Sequence, residues 1–385
     1  MATTGGHLRM PASFCGALQC SAAIYNRAMD YRARQRRLLA ELERKRVDAL
    51  LVTHLPNVRY LTGFTGSAGL LLAGSKSLFF TDGRYREQAA EQVAGAKVIA
   101  GKAAALSAAA DAVKRSRITR LGIESGHMTV ATREALKRLL GTSVRLVSTS
   151  GVCESLRMVK EADEIACLAE AVDLGSRVFR PLLRAIQPGI GENVVAARLE
   201  YMTRKAGAEA MSFETIVAAG ARSALPHGVA SRAPIPPGGF VVLDYGVILN
   251  GYCSDMTRTV HVGRASEAER DAYKAVLESQ LAAVEAVRPG ATAAEVDEAA
   301  RSSLRAAKLD KYFTHSTGHG VGLEIHELPR VAAKQDVVLR PGMVITIEPG
   351  VYMPGKFGIR IEDMVVVRER GHQVLTSAPK ELIEL

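Results

Sequence analysis

The sequence lacks long hydrophobic runs and has few cysteines. No apolar run among its 385 residues approaches the roughly 20 residues that a membrane span requires, so we expect no transmembrane segment and no membrane partner. The five cysteines are odd in number and show no CxxC spacing, which argues against a disulfide framework and against a structural zinc site. A reducing, cytoplasmic location fits this pattern.

Two kinds of functional motif are also missing. The glycine-rich stretch YLTGFTGSAG at 60–69 contains neither GxxxxGK[ST] nor GxGxxG, so we do not expect it to bind phosphate groups. The chain has no GxSxG motif, which removes the usual sequence signal of a serine hydrolase. A phosphate-binding loop and a serine nucleophile are therefore both disfavoured.

Positive charge is abundant but unevenly distributed. The formal net charge is +10, yet residues 1–46 hold nine Lys or Arg against three acids, a net charge of +6. The remaining 339 residues therefore carry only about +4. A basic first helix is more typical of a solvated face than of a DNA-reading surface, so we expect no nucleic-acid partner.

The pattern divides the chain into three parts. Residues 1–28 have no unbroken apolar core of the kind found in a signal peptide, and we expect them to be disordered or an upstream extension, with Met29 as an alternative start. Residues 29–153 alternate between helical and strand patterns, which predicts an α/β domain. Residues 154–385 form a second domain with a different pattern.

The first domain contains sequence patterns that are typical of helices and strands. Leu38, Leu39 and Leu42 form an apolar stripe at helical spacing, and DALLVTH and SLFFTDGRY read as strands. The stretch ATREALKRLLG predicts a further helix that ends at Gly141 as its C-cap.

The second domain contains a faint internal repeat. AIQPGIGENVVAARLE matches AVRPGATAAEVDEAAR, since each ends one helix, turns at Pro-Gly and begins another. The strands PGGFVVLD at 237–244 and PGMVITIE at 341–348 both reach a carboxylate seven positions after the proline. Asp244 therefore has a counterpart in Glu348.

Each repeated strand is followed by a return strand with a second carboxylate. GVILNGYCSDMTRTV delivers Asp255 after an Asn-Gly turn, and GVYMPGKFGIRIEDMVVV delivers Glu362 after a Pro-Gly turn. Packing the two halves face to face would bring four carboxylates together. Such a cluster cannot stay fully ionised in a protein core unless cations neutralise it.

The glycine-rich segment THSTGHGVGLEIHE at 314–327 adds three imidazoles. His315, His319 and His326 are separated by glycines that exclude a stable helix, so the segment is not an HExxH zinc helix. Four carboxylates with one imidazole favour manganese, cobalt or another divalent first-row ion over a thiolate zinc site. Four acids suit a pair of metals better than one. Considered alone, Asp244 could equally be a carboxylate that is hydrogen-bonded to the backbone. The duplicated spacing of Asp244 and Glu348 is the observation that favours a metal ligand.

These motifs resemble those of a known family. The Asp, Asp, His, Glu, Glu order in LDYG, SDMTRT, STGHGVGLEIHE, TIEPGVY and GIRIED closely resembles the pita-bread metallopeptidases of the Xaa-Pro aminopeptidase and prolidase type. NVRYLTGFTGSAG and FTDGRYREQA resemble the creatinase-type N-terminal domain. The resemblance implies an α/β (α+β) fold class, with a creatinase-like N-terminal α/β domain at 29–153 and a pseudo-two-fold pita-bread catalytic domain at 154–385.

The resemblance also implies a metal-binding role for each matching acid and one histidine. The implied ligands of two divalent metal ions are Asp244, Asp255, His319, Glu348 and Glu362. Asp255 and Glu362 would bridge the two ions. Glu348 would also have a catalytic role, because it would orient or deprotonate a bridging water. Manganese is the expected metal, with cobalt or zinc as alternatives.

Four further residues match substrate-binding positions of the family. His227 and His326 match catalytic histidines that steady the substrate carbonyl and the tetrahedral intermediate, and His315 matches one that lines the substrate pocket. Arg360 matches an arginine that supports the site electrostatically. His227 also fits an ordinary turn residue, because it lies between a proline and a glycine.

The function implied by the resemblance is hydrolysis of the peptide bond N-terminal to proline by attack of a metal-bridging hydroxide. Our first hypothesis is an Xaa-Pro aminopeptidase that acts on proline-containing peptides as a homodimer. The alternative is an Xaa-Pro dipeptidase restricted to dipeptides, and a further alternative is a non-catalytic pita-bread binding protein. Prolidase-like members often grip a substrate carboxylate with an arginine near the position of Arg330, but its presence does not decide between the two activities.

Overall fold

The computed structural model describes residues 29–101 and 103–385. The expected disorder of residues 1–28, together with Cys15 and Cys20, lies outside the described residues. The other three cysteines are buried. Among the described residues, no helix has the length and apolar content that crossing a membrane would need.

The first part of the chain folds into a mixed six-stranded sheet with helices on both faces. The strand order is β4-β3-β2-β1-β5-β6, in which β2 runs antiparallel to both of its neighbours and the other pairs are parallel. Its elements are α1 (Tyr31–Arg44), β1 (Ala49–Val52), α2 (Leu55–Thr62), β2 (Leu70–Ala73), β3 (Leu78–Asp82), α3 (Arg86–Gln92), β4 (Lys97–Gly101), α4 (Ala105–Arg115), β5 (Arg120–Glu124), α5 (Val130–Leu140), β6 (Arg145–Thr149) and α6 (Val152–Arg157).

The residues of β1 alternate between two apolar cores. Leu50 and Val52 pack in a cluster with residues of α1 and α2, whereas Ala49 and Leu51 pack in a second cluster with residues of α4 and α5. A strand that is buried on both faces has an unbroken run of apolar residues. The sequence of β1, ALLV, is such a run.

The predicted elements of this part are confirmed. Leu38 and Leu42 of the stripe are buried on α1, and α5 ends at Gly141, whose φ of 70° is in the left-handed region that favours glycine. One boundary differs, because Tyr60 belongs to α2 rather than to the glycine-rich loop, which starts only after Gly63 caps that helix.

The second part of the chain is built from two helical hairpins and several antiparallel sheets. Its elements are α7 (Ala162–Leu182), α8 (Glu192–Lys205), β7 (Ala210–Met211), β8 (Ile216–Ala219), β9 (Gly239–Tyr245), β10 (Val247–Leu249), β11 (Tyr252–Cys253), β12 (Met256–Val262), α9 (Glu267–Ala286), α10 (Ala293–Ala306), β13 (Gly318–Gly320), β14 (Glu327–Val331), β15 (Val344–Ile347), β16 (Gly350–Met353), β17 (Phe357–Arg360), β18 (Asp363–Val367) and β19 (His372–Val374).

The internal repeat is visible in this architecture. The pairs α7–α8 and α9–α10 each reverse direction at a Pro-Gly turn whose glycine, Gly189 or Gly290, has positive φ. In the following sheets, β9 pairs antiparallel with β12 and β15 pairs antiparallel with β18. The repeat predicted from the two Pro-Gly helices and the two Pro-Gly strands is therefore confirmed.

The strand registers bring the acids to matching ends of the two sheets. Asp244 on β9 lies opposite Thr257 on β12. Ile347 lies opposite Asp363, so Glu348 and Glu362 follow directly at the end of the second pair.

In the first half, the connection from β9 back to β12 differs from the expected simple hairpin. The Asn-Gly turn joins β10 to β11 in a separate sheet with β7, and β12 begins only after this insertion.

Two glycines permit close backbone approaches beside the acids. A Cβ on Gly246, just after β9, would lie 1.8 Å from the carbonyl oxygen of Ser254. A Cβ on Gly318, at the start of β13, would lie 1.9 Å from the carbonyl oxygen of Thr346. Both strands would have to move apart to accept any larger residue.

We predict that Gly318→Ala lowers the free energy of unfolding by about 1–3 kcal/mol, the usual range for overpacking a filled interior, because the added methyl group overlaps backbone. Urea denaturation measures the change. The control is Gly126→Ala, where nothing lies within 4 Å of the added Cβ. Equal stabilities for the two variants would contradict the close approach.

Candidate metal centre

The structure brings the predicted acids and His319 together in one buried cluster. One ligand atom from each of Asp255, His319 and Glu362 lies within 4.8 Å of the others. His319 Nε2 is 3.5 Å from Asp255 Oδ2 and 3.5 Å from Glu348 Oε1. Asp244 lines the same cavity, and its charge acts on the pKa of the other three acids. All five side chains therefore meet at one place.

Two threonines orient two of these carboxylates. Thr257 Oγ1 donates to Glu362 Oε2 at 2.6 Å, and Thr346 Oγ1 donates to Glu348 Oε1 at 3.4 Å. Both threonines are buried. Thr257 leaves Glu362 Oε1 without a hydrogen-bond partner, whereas Glu348 Oε1 faces His319 Nε2 while it accepts from Thr346.

Arg360 holds the fourth carboxylate. Its Nη2 donates to Asp244 Oδ2 at 2.6 Å, its Nη1 donates to the Tyr352 hydroxyl at 2.5 Å, and its Nε donates to Thr257 Oγ1 at 3.1 Å. The guanidinium is almost fully buried. Arg360 therefore supplies the one fixed positive charge in direct contact with the cluster among the described residues. It makes this contact through Asp244.

The carboxylates are held in an environment that opposes their ionisation. Burial, followed by the charge of the neighbouring acids, raises the pKa of Asp255 and of Glu362 well above the ordinary range. Burial raises the pKa of Glu348 to about 8. A single arginine cannot offset four buried negative charges. The four carboxylates therefore need further positive charge if they are to be ionised together.

The donor atoms fit a divalent metal centre. Among the buried side-chain oxygens of the described residues, only Asp244 Oδ1 and Glu362 Oε1 have no hydrogen-bond partner. Buried carboxylate oxygens are rarely left unpaired, and these two belong to the same cluster. Several carboxylates with one imidazole form the hard, oxygen-rich donor set that divalent first-row cations prefer.

His319 presents a free nitrogen to the acids. Its Nδ1 lies 3.0 Å from the carbonyl oxygen of Gly320, which can only accept a hydrogen bond, so Nδ1 carries the proton. Burial lowers the pKa of His319 to about 4. The ring is therefore neutral at pH 7, and the Nε2 lone pair points towards Asp255 and Glu348, as a metal ligand requires.

His315 lines the cavity but has partners at both ring nitrogens. Its Nδ1 donates to the carbonyl oxygen of Ser316 at 2.8 Å, and its Nε2 accepts from the Tyr352 hydroxyl at 2.9 Å. Burial and the nearby charge of Arg360 lower the pKa of His315 to about 4. A chain of hydrogen bonds thus runs from Arg360 through Tyr352 to His315.

His326 and His227 lie nearer the solvent. The ring of His326 meets the ring of His319 edge to face, with 4.4 Å between centroids, and its pKa is lowered chiefly by burial. His227 is exposed at the cavity wall. Both imidazoles are therefore placed where a molecule entering the cavity would meet them.

The acids form the floor of a cavity of about 730 Å³. Its walls combine apolar side chains with residues from α6 and the loop after β5. The apolar residues are Phe213, Ile216, Pro226, Val229, Ile325 and Leu328. The charged or polar residues from the first part of the chain are His127, Glu154 and Arg157. The volume and the mixture of apolar walls with a few polar groups suit a small organic ligand.

Some of these residues were not predicted from the sequence. Thr257 is two positions after Asp255 and Thr346 is two positions before Glu348, so the period of two in a strand places each pair on one face and could have identified both. Tyr352 was also missed, although it lies on β16, which pairs with β17 and so brings Tyr352 close to Arg360.

We predict that the metal-free protein loses stability as the pH rises from about 6.5 to about 8, because below this window the lowered pKa values of His315 and His319 act in the opposite direction. An acid whose pKa is raised by folding binds its proton more tightly in the folded state, so its contribution is complete below the unfolded pKa and is lost as the pH rises through the folded pKa. For Glu348 this window ends at about 8. Each retained proton adds a slope of up to about 1.4 kcal/mol per pH unit.

Thermal unfolding with a chelator present, repeated across this pH range, measures the effect. Glu348→Gln should reduce the slope, and added Mn²⁺ should remove most of it in the unsubstituted protein. A melting temperature that rises with pH in the metal-free protein would contradict the assignment of these carboxyl groups.

Comparison with known proteins identifies the same family that the sequence motifs resemble. Residues 166–369 match the model of metallopeptidase family M24, and residues 34–159 match the creatinase/prolidase N-terminal domain. An uncharacterized peptidase of Bacillus subtilis is 44% identical over 340 residues, which is 88% of this chain and 96% of that protein.

Two solved structures are similar over most of the chain. The Xaa-Pro dipeptidase from Bacillus anthracis is 41% identical with a TM-score of 0.90, and the match covers 92% of this chain and all of that one. The X-Pro aminopeptidase from Thermotoga maritima is 34% identical with a TM-score of 0.85, and the match covers 91% of this chain and all of that one. The chain therefore belongs to metallopeptidase family M24, of the Xaa-Pro dipeptidase and aminopeptidase type, and carries a creatinase/prolidase N-terminal domain.

Proposed function

We propose that this metallopeptidase is an exopeptidase that removes the residue before proline from the N-terminus of a peptide, as an Xaa-Pro aminopeptidase does. The observation that carries the proposal is the cluster of four carboxylates and His319, with two unpaired carboxylate oxygens, on the floor of the cavity. A homodimer and a cytoplasmic location stay predictions from the resemblance and from the cysteine pattern.

Five residues would hold two divalent cations, with Mn²⁺ expected and Co²⁺ or Zn²⁺ as alternatives. These are Asp244, Asp255, His319, Glu348 and Glu362. When bound, such cations make water a nucleophile at neutral pH and stabilise a developing oxyanion. The ligands need little rearrangement for this, because Thr257, Thr346 and Arg360 already fix one oxygen of Glu362, Glu348 and Asp244.

The remaining steps fall to side chains of this chain. Glu348 would take the proton of the attacking water at Oε1 and return it to the leaving imino nitrogen of proline, which is general acid–base catalysis. His326 and His227 would donate hydrogen bonds to the substrate carbonyl oxygen as negative charge develops there. The apolar walls near Phe213 and Ile325 would bind the side chain before proline and exclude water.

A dipeptidase restricted to Xaa-Pro dipeptides is the second candidate. Arg330 supports it, since this arginine lines the cavity, is exposed, and has no side-chain partner among the described residues. It lies opposite His319 across the β13–β14 pair, so its guanidinium could meet the free carboxylate of a C-terminal proline. The similarity to the Xaa-Pro dipeptidase from Bacillus anthracis supports the same candidate.

We predict that an Ala-Pro-Ala tripeptide is cleaved between alanine and proline with a kcat/KM at least equal to that for Ala-Pro. Arg330→Gln should change the tripeptide value by less than about threefold, which corresponds to under about 0.7 kcal/mol, because the tripeptide has no proline carboxylate for Arg330 to bind. Rates are compared with Mn²⁺, Co²⁺ and Zn²⁺ by measuring released amino acids.

Cleavage of dipeptides alone, with a sharply raised KM for Arg330→Gln, would replace the aminopeptidase by the dipeptidase. No cleavage of any proline peptide by folded, metal-loaded protein would overturn both and revive the binding-protein alternative.

We predict that Asp255→Ala removes bound metal and lowers kcat/KM by more than about 100-fold, beyond what residues outside the metal ligands usually contribute. The substitution deletes one of the acids within reach of His319. Metal content is measured by mass spectrometry after dialysis. Asp111→Asn, an exposed acid on α4, is the control and should keep both metal and activity. A metal-free variant that cleaved at the full rate would disprove the metal dependence.

A further inference from the structure

His326 is held in place indirectly. The ring makes no hydrogen bond to any described residue, and its one recorded ring contact is with His319. Its position therefore depends on the backbone of the segment 321–327, which runs from the end of β13 to the first residue of β14. Two acids of that segment flank it, since Glu324 is two positions before His326 and Glu327 is one position after.

Both flanking acids contact the same guanidinium. Arg157 Nη2 lies 2.8 Å from Glu324 Oε2, and the same nitrogen donates to Glu327 Oε1. Lys160 Nζ takes the second oxygen of Glu327 at 3.0 Å. Arg157 and Lys160 are almost fully buried, with side chains 2% and 1% exposed. Buried, hydrogen-bonded ion pairs of this kind fix geometry more firmly than surface pairs.

The segment itself is folded tightly around Glu327. The backbone N–H of Glu324 donates to Glu327 Oε1 at 3.1 Å. A Cβ on Gly322 would lie 2.5 Å from Glu327 Oε2, so the backbone there packs directly against the carboxylate. A shift of this carboxylate would therefore move the backbone on both sides of His326.

The same guanidinium joins the segment to the first part of the chain. Arg157 Nη1 donates to Asn57 Oδ1 at 2.8 Å, and Asn57 Nδ2 donates to Glu154 Oε1 at 2.7 Å. His54, just after β1, lies 2.9 Å from Glu324 Oε1 through its Nε2. Although burial raises it, the pKa of Glu324 is held at about 2 by the His54 hydrogen bond and the Arg157 charge.

We propose that Arg157 is a positioning residue for His326, and that it transmits the placement of the N-terminal sheet to the substrate cavity through Glu324 and Glu327. This inference rests on the proposed function, because His326 is there a substrate-binding residue. Arg157 does not touch the metal cluster, so its effect is on the substrate contact and not on the metal. A displacement of about 1 Å at a catalytic group is enough to lower a rate on the order of 100-fold.

The test is a double-mutant cycle between Arg157→Gln and His326→Ala with kcat/KM for an Xaa-Pro peptide. We expect each single variant to lose about 10- to 100-fold, the double variant to lose no more than about twofold beyond His326→Ala, and Arg157→Lys to recover part of the rate. Bound metal should be unchanged in all of them. Losses that multiply in the double variant would overturn the proposal.

The matched control is Arg34→Gln. Arg34 is also a buried guanidinium between the two parts of the chain, where it contacts Glu161 and Glu164, but it does not contact the segment of His326. Its loss should lower stability while changing kcat/KM by less than about threefold. An equal fall in kcat/KM for Arg34→Gln and Arg157→Gln would show a general interface effect and would overturn the proposal.

Two further measurements keep the test decisive. If Arg157→Gln does not fold, Glu324→Gln removes one partner of the same guanidinium at a partly exposed site. The effects of Glu324→Gln and His326→Ala on kcat/KM must then be non-additive.

If the unsubstituted protein cleaves no Xaa-Pro peptide, the proposed function fails. Positioning is then read from the ring signal of His326 in ¹³C-histidine-labelled protein, which must shift in Glu324→Gln and stay in place in Arg34→Gln. No shift would overturn the proposal.

Discussion

Mutual repulsion among four buried carboxylates is the constraint on which the rest of the second domain depends. Removing several negative charges from water is unfavourable unless positive charge accompanies them, and within residues 29–101 and 103–385 only Arg360 is in direct contact with these acids. Thr257 and Arg360 each bind one oxygen of Glu362 and Asp244 and leave the other oxygen unpaired. Asp255 Oδ2 and Glu348 Oε1 each lie 3.5 Å from His319 Nε2. The cluster is therefore arranged so that cations complete it.

The internal repeat made the acids predictable. Asp244 and Glu348 stand at the same distance from a Pro-Gly pair in two similar strands, and the antiparallel registers then fix where Asp255 and Glu362 lie. Local patterns also gave the helices and strands of the first domain, because both faces of β1 are buried and its apolar run is unbroken. The Asn-Gly turn between β10 and β11 was predicted, but their pairing with β7 in a separate sheet was not, because it depends on a contact with a distant strand.

Other features could not be read from the sequence because they depend on contacts between distant segments. Arg157 and Glu327 are 170 residues apart in the chain, and no periodicity links them. Tyr352 and Arg360 lie on the paired strands β16 and β17, but His315 is 37 residues before Tyr352. Only the assembled fold shows that the Tyr352 hydroxyl connects His315 with Arg360. The first domain likewise reads as a separate α/β unit, although His127 and Glu154 form part of the cavity wall. The cavity is thus a product of both parts of the chain.

The most direct test of the account is anomalous diffraction from crystals grown with Mn²⁺, recorded on both sides of the manganese absorption edge. Two anomalous peaks are expected within bonding distance of the five ligands, with Asp255 and Glu362 in contact with both. The five ligands are Asp244, Asp255, His319, Glu348 and Glu362. Crystals of active protein that showed no peak in this cluster, or manganese bound only elsewhere, would contradict the metal centre.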